Sequence, residues 1–325
     1  MEPGRPLRFR YCRSIHAGLS GAAMRNRKLL LCRPVSGLCD ILCQIGVTSQ
    51  YAKATGRLNI VDTNFRNSWH FRDDFSRYFI SLDENLVLDI GAHAELVDRL
   101  AAYPAPLTGR ISSYVPEYDY DARCYRDADT GTPLKLDFDR DYDAPLILHH
   151  ATSRRGDPIA ALERMRLQPM LRELILRRCA RIGEPYCGLH IRATDYAMDY
   201  RQRLEKMKGR IEGPIFLATD NAEVVDHVRE AFPDRPVHSF TRFQKEPGTP
   251  LHCRPADQDA WDVNCDAIAD LFMLAMGKSL TFFPLEPNIF GASHSGFSLL
   301  ARDLLRKPML VRHLLALPYR EALPA

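Results

Sequence analysis

The sequence lacks the features that mark a membrane-spanning or a secreted protein. Its 325 residues contain no run of eighteen apolar residues, about the minimum for a helix that crosses a bilayer. The first 27 residues are rich in arginine but have no apolar core of a secretory signal. We expect residues 1–27 to be a disordered extension or to precede the true start codon. These absences favour a cytoplasmic protein that associates with membranes at most peripherally.

Cysteine is present, but cysteine pairs with the spacing of metal ligands or redox motifs are missing. The nine cysteines form no Cys-x-x-Cys pair, and their number is odd. Cys39 and Cys43 lie one helical turn apart, yet no second pair accompanies them, as a structural zinc site would require. We therefore predict reduced thiols, no metal site and a cytoplasmic location.

Two further absences narrow the class of function. The formal net charge is only +3, which argues against a nucleic-acid-binding protein that depends on overall positive charge. No Gly-x-Gly-x-x-Gly motif follows a strand-like segment, which argues against a dinucleotide-dependent oxidoreductase. The length leaves room for about two domains of roughly 150 residues each.

The first half opens with a pattern that predicts a strand, a helix and a second strand. Residues 28–32 are typical of a buried strand, residues 38–54 carry apolar side chains along one helical face, and residues 58–62 are again strand-like. Crossovers of this kind join parallel strands. Gly37, at the predicted helix start, would let backbone N–H groups face a ligand above the sheet.

The second half repeats the alternation of strands and helices. Residues 159–179 are predicted to form one long helix, and four strand-like segments follow: 186–191, 215–220, 237–240 and 280–283. This order predicts a second parallel sheet covered on both faces. We therefore predict an α/β protein with two Rossmann-like domains that face a central cleft, comprising residues 28–180 and 181–305. Residues 306–325 are predicted to be a tail.

Polar residues follow three strands of the predicted second sheet, and parallel strands present their carboxyl ends at one edge. An arginine there suits a phosphate, because a guanidinium is always charged and forks onto phosphate oxygens. The candidate residues are His190, Arg192 and Asp195 after the first strand, Asp220 and Asn221 after the second, and Ser295, Phe297 and Ser298 after the last. Simpler structural roles stay open, because Asn, Asp and Ser often cap helices and a histidine can be buried in a core.

Several motifs resemble those of the bacterial nodulation-type α-1,6-fucosyltransferases and of the wider fucosyltransferase superfamily. The opening unit Arg33-Pro-Val-Ser-Gly37-Leu-Cys-Asp40 is similar to their glycine-containing start. The segment His190-x-Arg192-x-x-Asp195 resembles their His-x-Arg motif, and the runs 215–220 and 295–301 resemble their later motifs. The motifs occur in the expected order over most of residues 28–305.

The resemblance implies a GT-B fold and a bacterial, inverting, metal-independent enzyme. It would transfer fucose from GDP-fucose to an oligosaccharide or glycolipid acceptor, with no cofactor. The N-terminal domain would be the acceptor side, and the C-terminal domain would hold the nucleotide sugar. Arg192 would neutralise the leaving β-phosphate, and His190 would assist at the diphosphate or ribose. The other residues implied at the donor are Gly37, Asp40, Asp220, Asn221, Ser295, Phe297 and Ser298.

One departure from the motif leaves the donor sugar open. Related sequences often carry two adjacent arginines in the His-x-Arg motif, and the second position here is Ala193. The general base is also open, with Asp195 and Asp40 as candidates.

Two other functions stay open at this point. The chain is either a transferase of the kind described, a non-catalytic protein that binds nucleotide sugars or glycans, or a metal-dependent GT-A transferase. The last would use Asp137-x-Asp139, whose carboxylate oxygens suit Mn²⁺ or Mg²⁺. The sequence does not predict the oligomeric state.

Overall fold

A computed structural model describes residues 27–66, 71–152, 156–195, 198–243, 259–286 and 291–318. Residues 1–26 of the predicted 1–27 extension lie outside these ranges, as do five internal segments and residues 319–325. None of the seven cysteines within them forms a disulfide. No helix within them is long and apolar enough to span a bilayer.

The N-terminal half is built on a parallel five-stranded sheet. Strand β1 (Leu29–Pro34) lies at its centre, helix α1 (Leu38–Ala54) follows, and β2 (Leu58–Val61) returns parallel to β1. Strands β4 (Leu86–Val87), β8 (Leu146–Ala151) and β5 (Ala102–Tyr103) complete the order β4-β2-β1-β8-β5. All six residues of β1 are buried, as a central strand covered on both faces requires. The predicted strand-helix-strand unit is therefore confirmed.

Short elements connect and cover this sheet. Strand β3 (Phe79–Ser81) pairs with β9 (Met165–Leu167), and helix α2 (Ala94–Val97) lies between β4 and β5. Strands β6 (Pro116–Asp119) and β7 (Cys124–Asp127) form an antiparallel hairpin. The predicted 159–179 helix is wrong in one respect, because the structure divides it into α3 (Pro158–Leu162), β9 and α4 (Pro169–Ile182). Pro169 at the first turn of α4 cannot donate a hydrogen bond to a preceding turn, so it suits a helix start.

The C-terminal half is a second parallel sheet. Strand β10 (Cys187–Ile191) pairs with β11 (Ile215–Thr219) and with β13 (Ser279–Phe282), and β12 (Val237–His238) lies beyond β11. The helices are α5 (Tyr200–Met207), α6 (Ala222–Ala231), α7 (Ala260–Met276) and α8 (Gly296–Leu305). The segment predicted as a tail contains a ninth helix, α9 (Pro308–Leu314), whose Val311 and Leu314 are fully buried against α7 and α8.

Helices α1 and α8 join the two halves. They pack against each other and contribute Leu42 and Leu300 to one apolar cluster that also contains α7. Because α1 follows the carboxyl end of β1 and α8 follows that of β13, this packing brings elements from the carboxyl edges of both sheets together. A second contact stacks Trp261 of α7 on Tyr78, with ring centroids 4.9 Å apart.

Glycine at position 46 allows a close backbone approach in this arrangement. A Cβ added to Gly46 would lie 2.4 Å from the carbonyl oxygen of Asp157, which precedes α3. We expect Gly46→Ala to lower the free energy of unfolding by about 1–3 kcal/mol, because the two backbones would have to separate. Urea denaturation measures the change in stability, with Gly37→Ala at the N-cap of the same helix as the control. A Cβ at Gly37 meets nothing within 4 Å, so equal losses for the two variants would contradict the prediction.

A buried charged network ties α4 to α7. Arg178 of α4 donates hydrogen bonds to Asp266 and, at 3.3 Å, to Asp270, which lie one turn apart on α7. Thr241 donates to Asp270 at 2.6 Å, and Arg242 donates through Nε to Asp266 at 2.8 Å. The network therefore also fixes residues 241–242, which follow β12.

Candidate active site

The candidate residues of the second half lie along the carboxyl edge of its sheet. In the parallel register, His190 stands beside Ala218 on β11 and beside Phe282 on β13. Arg192 follows the last residue of β10, and Asp220 follows the last residue of β11. The predicted convergence of strand ends at one edge therefore holds for these two strands, and Ser298 joins them through a direct contact with His190.

His190 is a buried and neutral side chain. Its Nδ1 lies 2.6 Å from Ser298 Oγ, and its ring centroid lies 5.1 Å from that of Phe297. Burial, reinforced by the nearby Arg192 charge, lowers the pKa of His190 to about 3. The imidazole is therefore uncharged at neutral pH, so it acts at this edge as a hydrogen-bonding group, and Arg192 supplies the positive charge.

Arg192 forms a bidentate ion pair with Asp195, three residues further along the chain. Its Nε donates to Asp195 Oδ1 at 2.7 Å, and its Nη2 donates to Oδ2. About a quarter of each side chain is exposed. The pair is local, so it fixes the orientation of the guanidinium and leaves it at the carboxyl edge of β10.

Asp220 and Asn221 hold the neighbouring loop and helix. The backbone N–H of Ala193 donates to Asp220 Oδ1 at 2.8 Å, and Thr194 Oγ1 donates to Oδ2 at 2.6 Å. Burial raises the pKa of Asp220, and these two donors oppose the rise. Asn221 caps α6 by accepting from the N–H of Glu223. The capping alternative is thus correct for Asn221, whereas Asp220 fastens the loop that carries Arg192.

Ser295 occupies the N-cap position of α8, yet its side chain does not cap the helix. Its hydroxyl is buried and has no hydrogen-bond partner among the residues that the structure describes. A buried hydroxyl without a partner costs free energy. A ligand oxygen at the start of α8 would satisfy it, and the N–H groups of the first helical turn favour an anion there.

The first half contributes the segment before α1. Gly37 is the N-cap residue of α1 and has no side chain to block the space around it. Ser36 adopts φ 103°, a left-handed conformation that is costly for serine, and its hydroxyl donates to Asp40 at 2.8 Å. Sequence reasoning selected Gly37 and Asp40 but missed Ser36. Its place directly before a helix-opening glycine was the available signal.

The Asp-x-Asp pair considered for the GT-A alternative lies in an exposed loop. Asp137 and Asp139 are exposed and lie in a loop, where the Asp137 carboxylate accepts from the N–H of Asp139. Within the described ranges, no group of three or more His, Cys, Asp or Glu side chains is arranged to hold a metal ion.

Comparison with solved structures places this geometry in a known fold. The chain superposes on the fucosyltransferase NodZ from Bradyrhizobium with a TM-score of 0.58 at 20% identity, covering 86% of this chain and 93% of NodZ. The NodZ α-1,6-fucosyltransferase co-crystallised with GDP gives a TM-score of 0.57 at 20% identity, with the same coverage of both chains. The chain has the NodZ fold. The predicted GT-B architecture is therefore confirmed.

A more distant likeness agrees with the NodZ fold. A mutant of Arabidopsis thaliana FUT1 in complex with GDP matches with a TM-score of 0.51 at 10% identity, over 88% of this chain and 73% of that one. No family model matches the sequence, and no curated protein matches it. At these identities the likeness to NodZ concerns the fold, and the activity has to be argued from the site.

Proposed function

We propose that the chain is a glycosyltransferase that transfers fucose from GDP-fucose to an oligosaccharide or glycolipid acceptor. One observation carries the proposal: Arg192 and the N-terminus of α8 lie at the carboxyl edge of the same sheet, where the buried Ser295 hydroxyl has no hydrogen-bond partner among the described residues. The pairing of an always-charged guanidinium with a helix start suits a diphosphate. NodZ, which has the same fold, was co-crystallised with GDP and, in another structure, soaked with GDP-fucose.

The proposed reaction is an inverting displacement that requires no metal. The acceptor oxygen forms a bond to the sugar carbon while the bond from that carbon to the β-phosphate oxygen breaks. The departing GDP keeps the electron pair, and Arg192 stabilises the growing negative charge. His190, which is neutral, orients Ser298 and contacts the diphosphate or ribose as a hydrogen-bonding partner.

The acceptor proton passes to a carboxylate, and Asp40 suits this role better than Asp195. Both carboxylate oxygens of Asp195 already accept hydrogen bonds from Arg192, so Asp195 is engaged in orienting the guanidinium. Asp40 lies in the first turn of α1, in the half that the proposal assigns to the acceptor, and its carboxylate accepts a hydrogen bond from Ser36. Ala193 offers no second guanidinium beside Arg192.

Isothermal titration with GDP tests the nucleotide site. We expect the protein to bind GDP and Ser295→Ala to weaken binding about tenfold, because one hydrogen bond to a charged oxygen contributes about 1.5 kcal/mol. Ser293→Ala is the matched control, since Ser293 is an exposed serine of the same loop. Equal affinities for the two variants would remove Ser295 from the site.

Release of GDP from GDP-fucose in the presence of an acceptor and EDTA separates the possible functions. Turnover under these conditions supports the proposed enzyme. GDP binding without turnover for any acceptor favours the second candidate, a non-catalytic nucleotide-sugar or glycan-binding protein, for which Ala193 is the supporting observation. Turnover that requires an added divalent cation would contradict the metal-independent mechanism.

A further inference from the structure

A row of aromatic side chains runs along the carboxyl edge of the N-terminal sheet and out to the surface. Consecutive ring centroids are separated by 4.8 Å (Phe65 to Tyr114), 5.8 Å (Tyr114 to His150), 4.8 Å (His150 to Tyr125), 5.1 Å (Tyr125 to Tyr118) and 5.1 Å (Tyr118 to Tyr120). None of these residues belongs to the nucleotide site described above.

The inner part of the row is a rigid anchor. Tyr114 is fully buried and its hydroxyl lies 2.6 Å from Nδ1 of His150. Burial lowers the pKa of His150 well below its ordinary value, and the nearby Arg33 reinforces the shift, so the ring is neutral. The guanidinium of Arg33 lies 3.4 Å from the centre of the Phe65 ring and donates through Nε to Asp62. Tyr114, His150 and Arg33 make these contacts with other groups of the protein, so the anchor holds the row in place.

The outer part of the row is the hairpin of β6 and β7. Tyr118 and Tyr125 are directly opposed across the hairpin, and Tyr120 lies two residues beyond Tyr118. Tyr120 is 84% exposed, an unusual state for a large aromatic side chain. The hairpin is fastened to the sheet because the His150 N–H donates to Leu134, whose own N–H donates to Tyr125.

We call Tyr118, Tyr120 and Tyr125 the tyrosine surface. This surface lies on the same sheet edge as residues of the proposed site. His150 pairs in register with Arg33 on β1, and Pro34 is only three residues before Gly37. The surface therefore extends outward from the same sheet edge that carries Gly37 and Asp40. If the acceptor lies on the N-terminal side, as the proposed function has it, its sugar chain would extend past this edge.

The chemistry of the surface fits a neutral oligosaccharide. Aromatic rings stack against the apolar C–H face of a pyranose, while tyrosine hydroxyls exchange hydrogen bonds with sugar hydroxyls. An anchored tyrosine also loses little conformational entropy on binding, because it has only two side-chain torsions.

We propose that Tyr118, Tyr120 and Tyr125 form the subsite that binds the sugar chain of the acceptor. This inference rests on the proposed function, since it names the part of the chain that receives the acceptor. The ligand expected at this surface is a neutral oligosaccharide and not a protein partner. The donor is held at a different sheet edge, so the two proposals are tested separately.

The test is binding of cellohexaose, chitohexaose and maltohexaose to the full chain, measured by isothermal titration without donor. We expect at least one hexasaccharide to bind and Tyr120→Ala to weaken that binding about tenfold, the equivalent of about 1.4 kcal/mol of lost stacking. Tyr120→Phe should retain most of the affinity because it keeps the ring. Titration with GDP should give the same affinity for all three proteins.

The controls distinguish this subsite from the fold and from the donor site. Leu82→Ala removes another exposed apolar side chain, 41% exposed and outside the tyrosine surface, and should leave hexasaccharide binding unchanged. Wild-type protein that binds none of the three sugars overturns the subsite, whatever the result with GDP. Equal losses in Tyr120→Ala and Leu82→Ala also overturn it. Failure to bind GDP, by contrast, counts only against the proposed nucleotide site.

Discussion

Replacing Arg192 with alanine is expected to lower the rate of fucose transfer by about 10²–10³-fold, the usual effect of removing one preorganised group that stabilises developing charge. Without a metal, the guanidinium is the one fixed positive charge that we assign to the departing diphosphate. Because about a quarter of its side chain is exposed, its loss should leave the fold intact. The kcat for GDP release measures the effect, and the melting temperature checks the fold.

Two variants sharpen this prediction. Arg192→Lys keeps the charge but cannot form the forked contact, so it should recover only part of the rate. Arg201→Ala removes a surface arginine of α5 that contacts His227 and should retain wild-type turnover. Transfer by Arg192→Ala at nearly the wild-type rate would remove Arg192 from the mechanism. A drop in melting temperature as large as that of a core variant would mean that the residue is structural.

Much of the fold follows from local sequence patterns. The β1-α1-β2 unit was predictable because residues 29–32 of β1 form a buried apolar run, and because Gly56 adopts φ +65° just beyond the helix. The region around β9 was not predictable in this way. Its Met165 and Leu167 extend the apolar spacing of the flanking helices, but they pair with β3, about 85 residues earlier in the chain. Only the tertiary pairing decides between strand and helix there.

The site could be predicted in part for the same reason. His190 and Arg192 were predictable because a buried strand precedes them and because parallel strands share an edge. Whether Asp220 and Ser295 cap their helices was not predictable, since both residues occupy positions that are typical of caps. Whether such a side chain caps its own helix or bonds elsewhere depends on a loop from another part of the chain, such as Thr194 for Asp220.

Arg178→Met should cause a large loss of stability. Arg178 is buried between α4 and α7 and pairs with Asp266 and Asp270, both also buried. Its removal leaves two carboxylates one helical turn apart, with Thr241 and Arg242, on the loop after β12, as their remaining side-chain partners in the described part of the chain. We expect the free energy of unfolding to fall by about 3–5 kcal/mol, as when one member of a buried ion pair is removed. Arg177→Met, at the exposed neighbouring position, should be nearly neutral.

The loss of stability in Arg178→Met should also depend on pH. The titration of Asp270 determines the direction of that dependence. Burial raises the pKa of Asp270 from 3.8 to about 7, although Thr241 and Arg178 oppose the rise. The folded state therefore holds this proton more tightly than the unfolded state, so the contribution of Asp270 to stability decreases as the pH rises from about 4 to 7. Without Arg178 the folded-state pKa should rise further, and the decrease should continue above pH 7.

Urea denaturation at pH 5.5 and at pH 8.5 distinguishes this explanation from simple loss of packing. The difference between wild type and Arg178→Met should be larger at pH 8.5, because at pH 5.5 Asp270 can bind a proton and relieve the unpaired charge. Adding Asp270→Asn to Arg178→Met should restore part of the stability at pH 8.5 and little at pH 5.5, since asparagine imitates the protonated carboxyl. A loss that is the same at both pH values would show that the methionine side chain fails to pack and that the ion pairs contribute little.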